Sequence, residues 1–173
     1  MPKRLIGGIA GSLILVLVLA STTLGASQGR RVTMLDDCDA ATFNAVIGPG
    51  TCVKDGGVTF QDFIGQLVDT GAAPAWRFAP ERVQLGAGGS VDAYNRGGEF
   101  HTFTEVAAFG GGCVDVLNAI LGLTAVPECA IPGILGSTGV APGEELEGAP
   151  LGSGTYLFEC LIHPWMRATV TVE

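Results

Sequence analysis

Gly154-Thr155-Tyr156-Leu157-Phe158-Glu159-Cys160-Leu161-Ile162-His163-Pro164-Trp165-Met166 places a thiol, an imidazole and a thioether three residues apart each, close to the end of the chain. Strand-like alternation flanks the group. Tyr156, Phe158 and Cys160 fall on one face of the first run, and Met166, Ala168, Val170 and Val172 on one face of the second. The pleat therefore aims Cys160 and Met166 the same way as the core residues. Pro164 fixes its own φ and restricts His163 before it to extended geometry, which stiffens the loop between two donors. A thiolate and imidazole set with a weak thioether suits a single copper ion cycling between Cu(I) and Cu(II).

Two residue counts support this reading. The chain has only two histidines, His101 and His163. The first lies in Glu99-Phe100-His101-Thr102-Phe103-Thr104-Glu105, just after Gly97-Gly98, on a predicted strand. Of the five cysteines, Cys38, Cys52, Cys113 and Cys129 can form two disulfides, and sequence proximity suggests Cys38–Cys52 and Cys113–Cys129 among the three connectivities open to four cysteines. Cys160 is then the odd thiol, a hazard in an oxidising compartment unless burial or a metal protects it. The metal candidates are His101, Cys160, His163 and Met166. Buried Cys, His and Met are also ordinary core residues. A purely structural account must nevertheless explain the odd thiol, the two histidines and the stiffened loop separately.

Lys3 and Arg4 precede an apolar run over 5–20, and small residues follow over 21–26. This is the layout of a secretory signal peptide, placing residues 1–26 as a leader and the protein in a periplasmic or secreted location. The run is short and interrupted by glycine, so a membrane anchor retained at the uncleaved leader is the weaker reading. The formal net charge is −8, and becomes −10 once the two basic leader residues are gone. Nucleic acid is excluded as a partner, because neutralising phosphates needs a basic face. A basic redox protein partner met by electrostatic steering is compatible with that charge, and so is a role in solubility alone.

Residues 27–73 read as an N-terminal extension. It holds a stapled loop or small hairpin over 38–53 and a short helix on which Phe60, Phe63, Ile64, Leu67 and Val68 share a face, capped by Thr59 or Gly57. From residue 74 onward short strands alternate with turns, over 76–78, 82–85, 90–95 and 100–107, and two more close the chain. That pattern predicts an all-β sandwich spanning 74–173. Residues 109–146 break the rhythm. Val114, Leu117, Ile120 and Leu121 have helical spacing between Cys113 and Cys129, which predicts a disulfide-stapled, partly helical insertion.

The loop Cys160-Leu161-Ile162-His163-Pro164-Trp165-Met166, together with the upstream run from Phe78-Ala79-Pro80 through Val91 and Asn95 to His101, resembles the cupredoxins, the small blue copper proteins. Its short spacing is most similar to amicyanin and plastocyanin-like members. The resemblance covers roughly residues 74–108 and 144–173. It implies a Greek-key β-sandwich with one copper ion at one end, held by His101, Cys160 and His163 in a trigonal plane with Met166 axial. It also implies a His163 ring edge at the surface as an electron port, ringed by Leu161, Ile162, Pro164 and Trp165 as an apolar docking patch. Many family members carry asparagine directly after the first histidine, bonding across to the cysteine loop; here the residue is Thr102. The insertion over 109–146 is larger than the resemblance predicts, and the segment over 38–68 has no counterpart in it.

The function implied is that of a monomeric one-electron carrier, soluble after signal cleavage. Copper buffering or delivery is the alternative, although delivery sites favour abundant methionine or histidine, which this chain lacks. Enzymatic turnover is not expected of this chain alone. Oxidases and reductases with a second copper centre need more than two histidines, and a two-copper site needs a second cysteine in the ligand loop.

Overall fold

The computed structural model describes residues 29–173, and the predicted leader lies outside them. Two four-stranded sheets face each other. The first runs in the order β2-β1-β4-β8, with β1 at Arg30–Leu35, β2 at Arg77–Ala79, β4 at Val91–Asn95 and β8 at Glu145–Leu146. The second runs β3-β10-β9-β6, with β3 at Arg82–Leu85, β6 at Thr104–Val106, β9 at Gly154–Glu159 and β10 at Arg167–Val172. A third, small pairing joins β5 (His101–Thr102) to β7 (Gly139–Val140). The fold is a two-layer β-sandwich, as the alternation predicts.

The inward set follows from the pleat. Val32, Met34, Phe78, Val91 and Ala93 of the first sheet are buried, as are Val83, Leu85, Phe158, Ala168, Val170 and Val172 of the second. Aromatic stacking fills the space between the layers: the Phe103 and Phe158 rings lie 4.2 Å apart and nearly parallel, with Phe78 edge-on to Phe103 at 5.3 Å. The strand expected over 100–107 is divided into β5 and β6 at Phe103, which turns inward to make this stack.

The sandwich does not begin at residue 74. Strand β1, in the stretch expected as an extension, sits within the first sheet, antiparallel to β2 and parallel to β4. Val32 and Met34 alternate as a half-buried strand should, but they follow Arg30 and Arg31 and have no turn signal to separate them from the leader.

Two groups of helices attach to one end. The segment expected as a loop or hairpin contains helix α1 (Ala40–Val46), capped by the Asp39 carboxylate accepting from Thr42 N at 2.9 Å. Helix α2 (Phe60–Thr70) starts at Thr59, whose hydroxyl accepts from Asp62 N, and ends at Gly71 in the left-handed conformation. The apolar face of α2 packs inward: the Phe63 ring lies tilted against Trp76 at 4.7 Å and against Phe43 of α1 at 5.5 Å. Helix α3 (Asp115–Leu121) lies in the insertion, followed by a 3-10 turn at Pro127–Ala130 and the short α4 (Ile134–Ser137). Disulfides Cys38–Cys52 and Cys113–Cys129 staple the two segments. None of the described helices is long and apolar enough to cross a membrane.

Candidate metal centre

The two strands that bracket the quoted loop, β9 and β10, pair antiparallel with Glu159 opposite Arg167. Between them the backbone closes on itself. Cys160 N donates to Met166 O at 3.0 Å, and Met166 N donates to His163 O at 2.9 Å. Arg167 locks the loop from outside: its Nε donates to Pro164 O at 2.7 Å and to the Glu159 carboxylate at 3.1 Å, and its Nη2 donates to Gly110 O at 2.8 Å. The insertion reaches the loop as well, through a short bond from Cys113 N to Leu161 O at 2.5 Å. A Cβ on Gly112 would run into that same carbonyl, so the close approach needs glycine there.

His101, Cys160 and His163 converge. The two histidine Nδ1 atoms are 3.2 Å apart, and each lies 3.9 Å from Cys160 Sγ. All three residues are buried and their donor atoms all lie within 4.8 Å of one another. Cys160 is the one free cysteine among the described residues. Met166 is fully buried in the same core cluster as Cys160.

Each imidazole is held from behind. His101 Nε2 meets Asp36 Oδ2 at 2.8 Å, with both side chains fully buried. Asp36 also accepts from Gly98 N at 2.8 Å and Glu99 N at 3.1 Å. Its carboxylate fills the place a Cβ on Gly97 would take, which is why a glycine stands there. His163 Nε2 lies 3.7 Å from Glu99 Oε2, a longer contact, and that oxygen accepts from Trp76 Nε1 at 2.5 Å. With the remote nitrogen of His101 committed to a carboxylate, its Nδ1 is left to face Cys160. A carboxylate behind a ligating imidazole fixes its tautomer and raises its basicity.

The protonation equilibria follow from this packing. Burial would raise the Asp36 carboxyl, but the hydrogen bond to His101 and the backbone donors outweigh it and hold it down at about 2. Burial opposes charge on His101, yet Asp36 and Cys160 push it up to about 9. Burial also works against a thiolate at Cys160; hydrogen bonds from His101 and His163 override it and bring the group well below its ordinary value. Glu159, with one oxygen unpartnered, is raised by burial to about 7 despite Gly110 N and Arg167.

The cross-tie that asparagine makes in many cupredoxins is made here by threonine. Leu161 N donates to Thr102 Oγ1 at 2.7 Å, and Thr102 N points at Cys160 Sγ at 3.4 Å. The departure at this position keeps the connection between the two halves of the site.

The surface electron port is a correction. His163 is only 3% exposed, Leu161 is fully buried and Pro164 is buried, leaving Ile162 and Trp165 half-buried. The imidazole is packed edge-on against Phe63 at 6.2 Å and Trp165 at 5.5 Å, with Trp76 at 6.4 Å. Phe63 of α2 lies outside the part of the chain that carried the family resemblance, whereas Trp76 and Trp165 lie within it.

Sequence reading also missed Asp36 and gave Glu99 no role. Asp36 is 65 residues from His101 and carries no spacing signal. The glycine pair Gly97-Gly98 was the available hint, since it marks a place where another group approaches the backbone closely.

A two-layer β-sandwich with a buried thiol and two imidazoles at one end resembles the cupredoxins in fold and in donor cluster. No family model matches the sequence, and no curated protein does. Among solved structures, the chain is similar to a purple cupredoxin from Nitrosopumilus maritimus at 14% identity, covering 83% of this chain and 99% of that one with a TM-score of 0.45. It is also similar to an amicyanin variant in the Cu(I) form, at 20% identity over 56% of this chain and 73% of that one, with a TM-score of 0.37.

Proposed function

We propose that this chain is an exported one-electron carrier in which His101 Nδ1, His163 Nδ1 and Cys160 Sγ would hold a single copper ion, with Met166 as a weaker fourth donor. The observation that carries the reading is the convergence of those three buried atoms within 4.8 Å. The set fits copper by its chemistry: a thiol biased toward thiolate, two imidazoles and a buried thioether nearby favour a soft metal in a trigonal site. When bound, copper supplies one-electron chemistry at a potential tuned by its surroundings.

The chain's own residues do the rest. Asp36 and Thr102 fix His101 and the ligand loop, and Arg167 clamps the loop to the insertion. Donors held this firmly change position little between oxidation states, which favours fast transfer. The burial that excludes water also opposes exchange of the metal, so the arrangement suits a carrier better than a delivery protein. With both histidines committed to one site, no histidine remains for a second copper centre, and turnover by this chain alone is not part of the reading.

Two disulfides suit an oxidising compartment outside the cytoplasm. A net charge of −8 suits a basic redox partner, met over half-buried Ile162 and Trp165.

The test is a Cu(II) titration of the purified chain, read by visible absorption, EPR and voltammetry. We expect one equivalent to give an intense cysteine-to-copper charge-transfer band and reversible one-electron cycling. Cys160→Ala should abolish the band. A band that survives that substitution would reject the ligand set; a strong band with sluggish cycling and ready metal exchange would favour delivery.

A further inference from the structure

The cover over His163 is not solid. Between the N-terminal helices and the insertion lies a cavity of about 480 Å³, within the range of small-molecule sites. Phe43, Phe60 and Phe63 wall it on one side, and Leu117 and Ile120 on the other. Its polar side chains are Thr51, Glu99 and His163, and the Thr51 hydroxyl already donates to Gly48 O. Ile47, Phe100 and Val116 among its lining are exposed by 55%, 40% and 64%, an apolar rim. Neither side wall belongs to the sandwich. They come from the extension and the insertion, each stapled by its own disulfide, and they enclose the chamber against one face of a candidate metal ligand.

The chamber's chemistry narrows its occupant. Aromatic and aliphatic walls fit a flat apolar molecule. At the polar end Glu99 Oε2 is taken by Trp76 Nε1, while Oε1 has no donor among the described residues. A carboxyl oxygen that solvent reaches at the end of an apolar cavity offers an acceptor to a ligand's hydroxyl or N–H. A ligand bearing its own carboxylate would have to leave water for a mostly apolar cavity whose lining holds no lysine or arginine, and is disfavoured.

We propose that this chamber binds a small neutral aromatic molecule carrying a hydroxyl group, a phenol or hydroquinone in class, with the ring between the phenylalanine wall and α3 and the hydroxyl donating to Glu99. The ring then lies against the His163 edge. The proposal goes beyond the electron-carrier reading and does not depend on it, because binding is measurable with or without copper.

The chain's own segment is the competing occupant. Residues 1–28 join the sandwich at Arg30, whereas the metal centre follows the other end of β1, where Asp36 stands. Six strand residues, about 20 Å at ~3.3 Å each, separate that entry point from the chamber's end of the sandwich.

The experiment is calorimetric titration of the full chain and of a chain starting at residue 29, each with and without copper, using 1-naphthol, naphthalene and 1-naphthoate. We expect saturable 1:1 binding of 1-naphthol to both chains, with naphthalene and 1-naphthoate each weaker by roughly tenfold or more. Ile120→Trp and Ile64→Trp, which fill the chamber from opposite walls, should each weaken 1-naphthol by at least about tenfold while far-UV circular dichroism stays unchanged. Equal binding of naphthol and naphthalene would overturn the role of Glu99. Unchanged affinity in a folded tryptophan variant, or no saturable binding at all, would overturn the site. Binding seen only after residues 1–28 are removed would make the chain's own segment the occupant and end the proposal. A copper site that fails while naphthol still binds would sink the carrier reading alone.

Discussion

His101 and His163 present the same nitrogen to the same thiol, but the protein holds them in opposite ways. His101 grows out of the sandwich. It lies on β5, fully buried, with Asp36 against its far nitrogen at 2.8 Å. His163 sits on the loop between β9 and β10. Its far nitrogen is 3.7 Å from Glu99, and aromatic rings from α2 and from residues 76 and 165 surround it. One imidazole is pinned by a carboxylate and the other is boxed in by rings beside a cavity. A β-sandwich supplies a rigid anchor; the added helices decide what reaches the other side of the site.

The sharpest way to break that asymmetry is Asp36→Ala. It leaves His101 Nε2 without its partner in a fully buried site, which costs about 3–5 kcal/mol of stability for a broken buried pair. Copper affinity should fall by roughly 10–100-fold, as for other lost partners of ligating histidines. Denaturant melts and a competitive chelator titration read the two effects. A change of less than about twofold in affinity would show that backbone packing alone aims His101.

Glu99→Gln probes the other side. The contact to His163 is longer and the amide can still accept from Trp76, so copper affinity should drop by less than about tenfold, less than for Asp36→Ala. An equal or larger loss would mean that His163 is pinned as firmly as His101, and the contrast would fail.

The smallest expected effect comes from Thr102→Val, which keeps the shape and removes the acceptor for Leu161 N. Stability should fall by about 1–3 kcal/mol, the cost of an unpaired buried donor, while the copper spectrum keeps its form. A changed spectrum would place the threonine tie in control of the sulfur itself.

How much of this was legible in the sequence follows the same division. The ligand loop could be read because its chemistry is local: Cys160, His163 and Met166 lie within seven residues, and period-two alternation on either side says which way they point. His101 could be added because the chain has only one other histidine. The cap of α2 was visible in Thr59 and in the spacing of its apolar face. What was not legible was every relation that depends on long-range docking. Strand β1 carries Val32 and Met34 in alternation but no boundary to mark it. Asp36 is an ordinary acid until packing brings it beneath Gly97. The burial of His163 depends on Phe63 and Trp76 arriving from another part of the chain, and no local pattern in the ligand loop announces that.

The claim beneath all of this is that one metal ion is held by one sulfur of Cys160 and by both imidazoles together. Copper X-ray absorption of the loaded chain tests it most directly. The account predicts a single short copper–sulfur contact with two imidazole nitrogens, and the loss of that short contact in Cys160→Ala. A shell without sulfur in the unaltered chain, or one with a single imidazole, would contradict it.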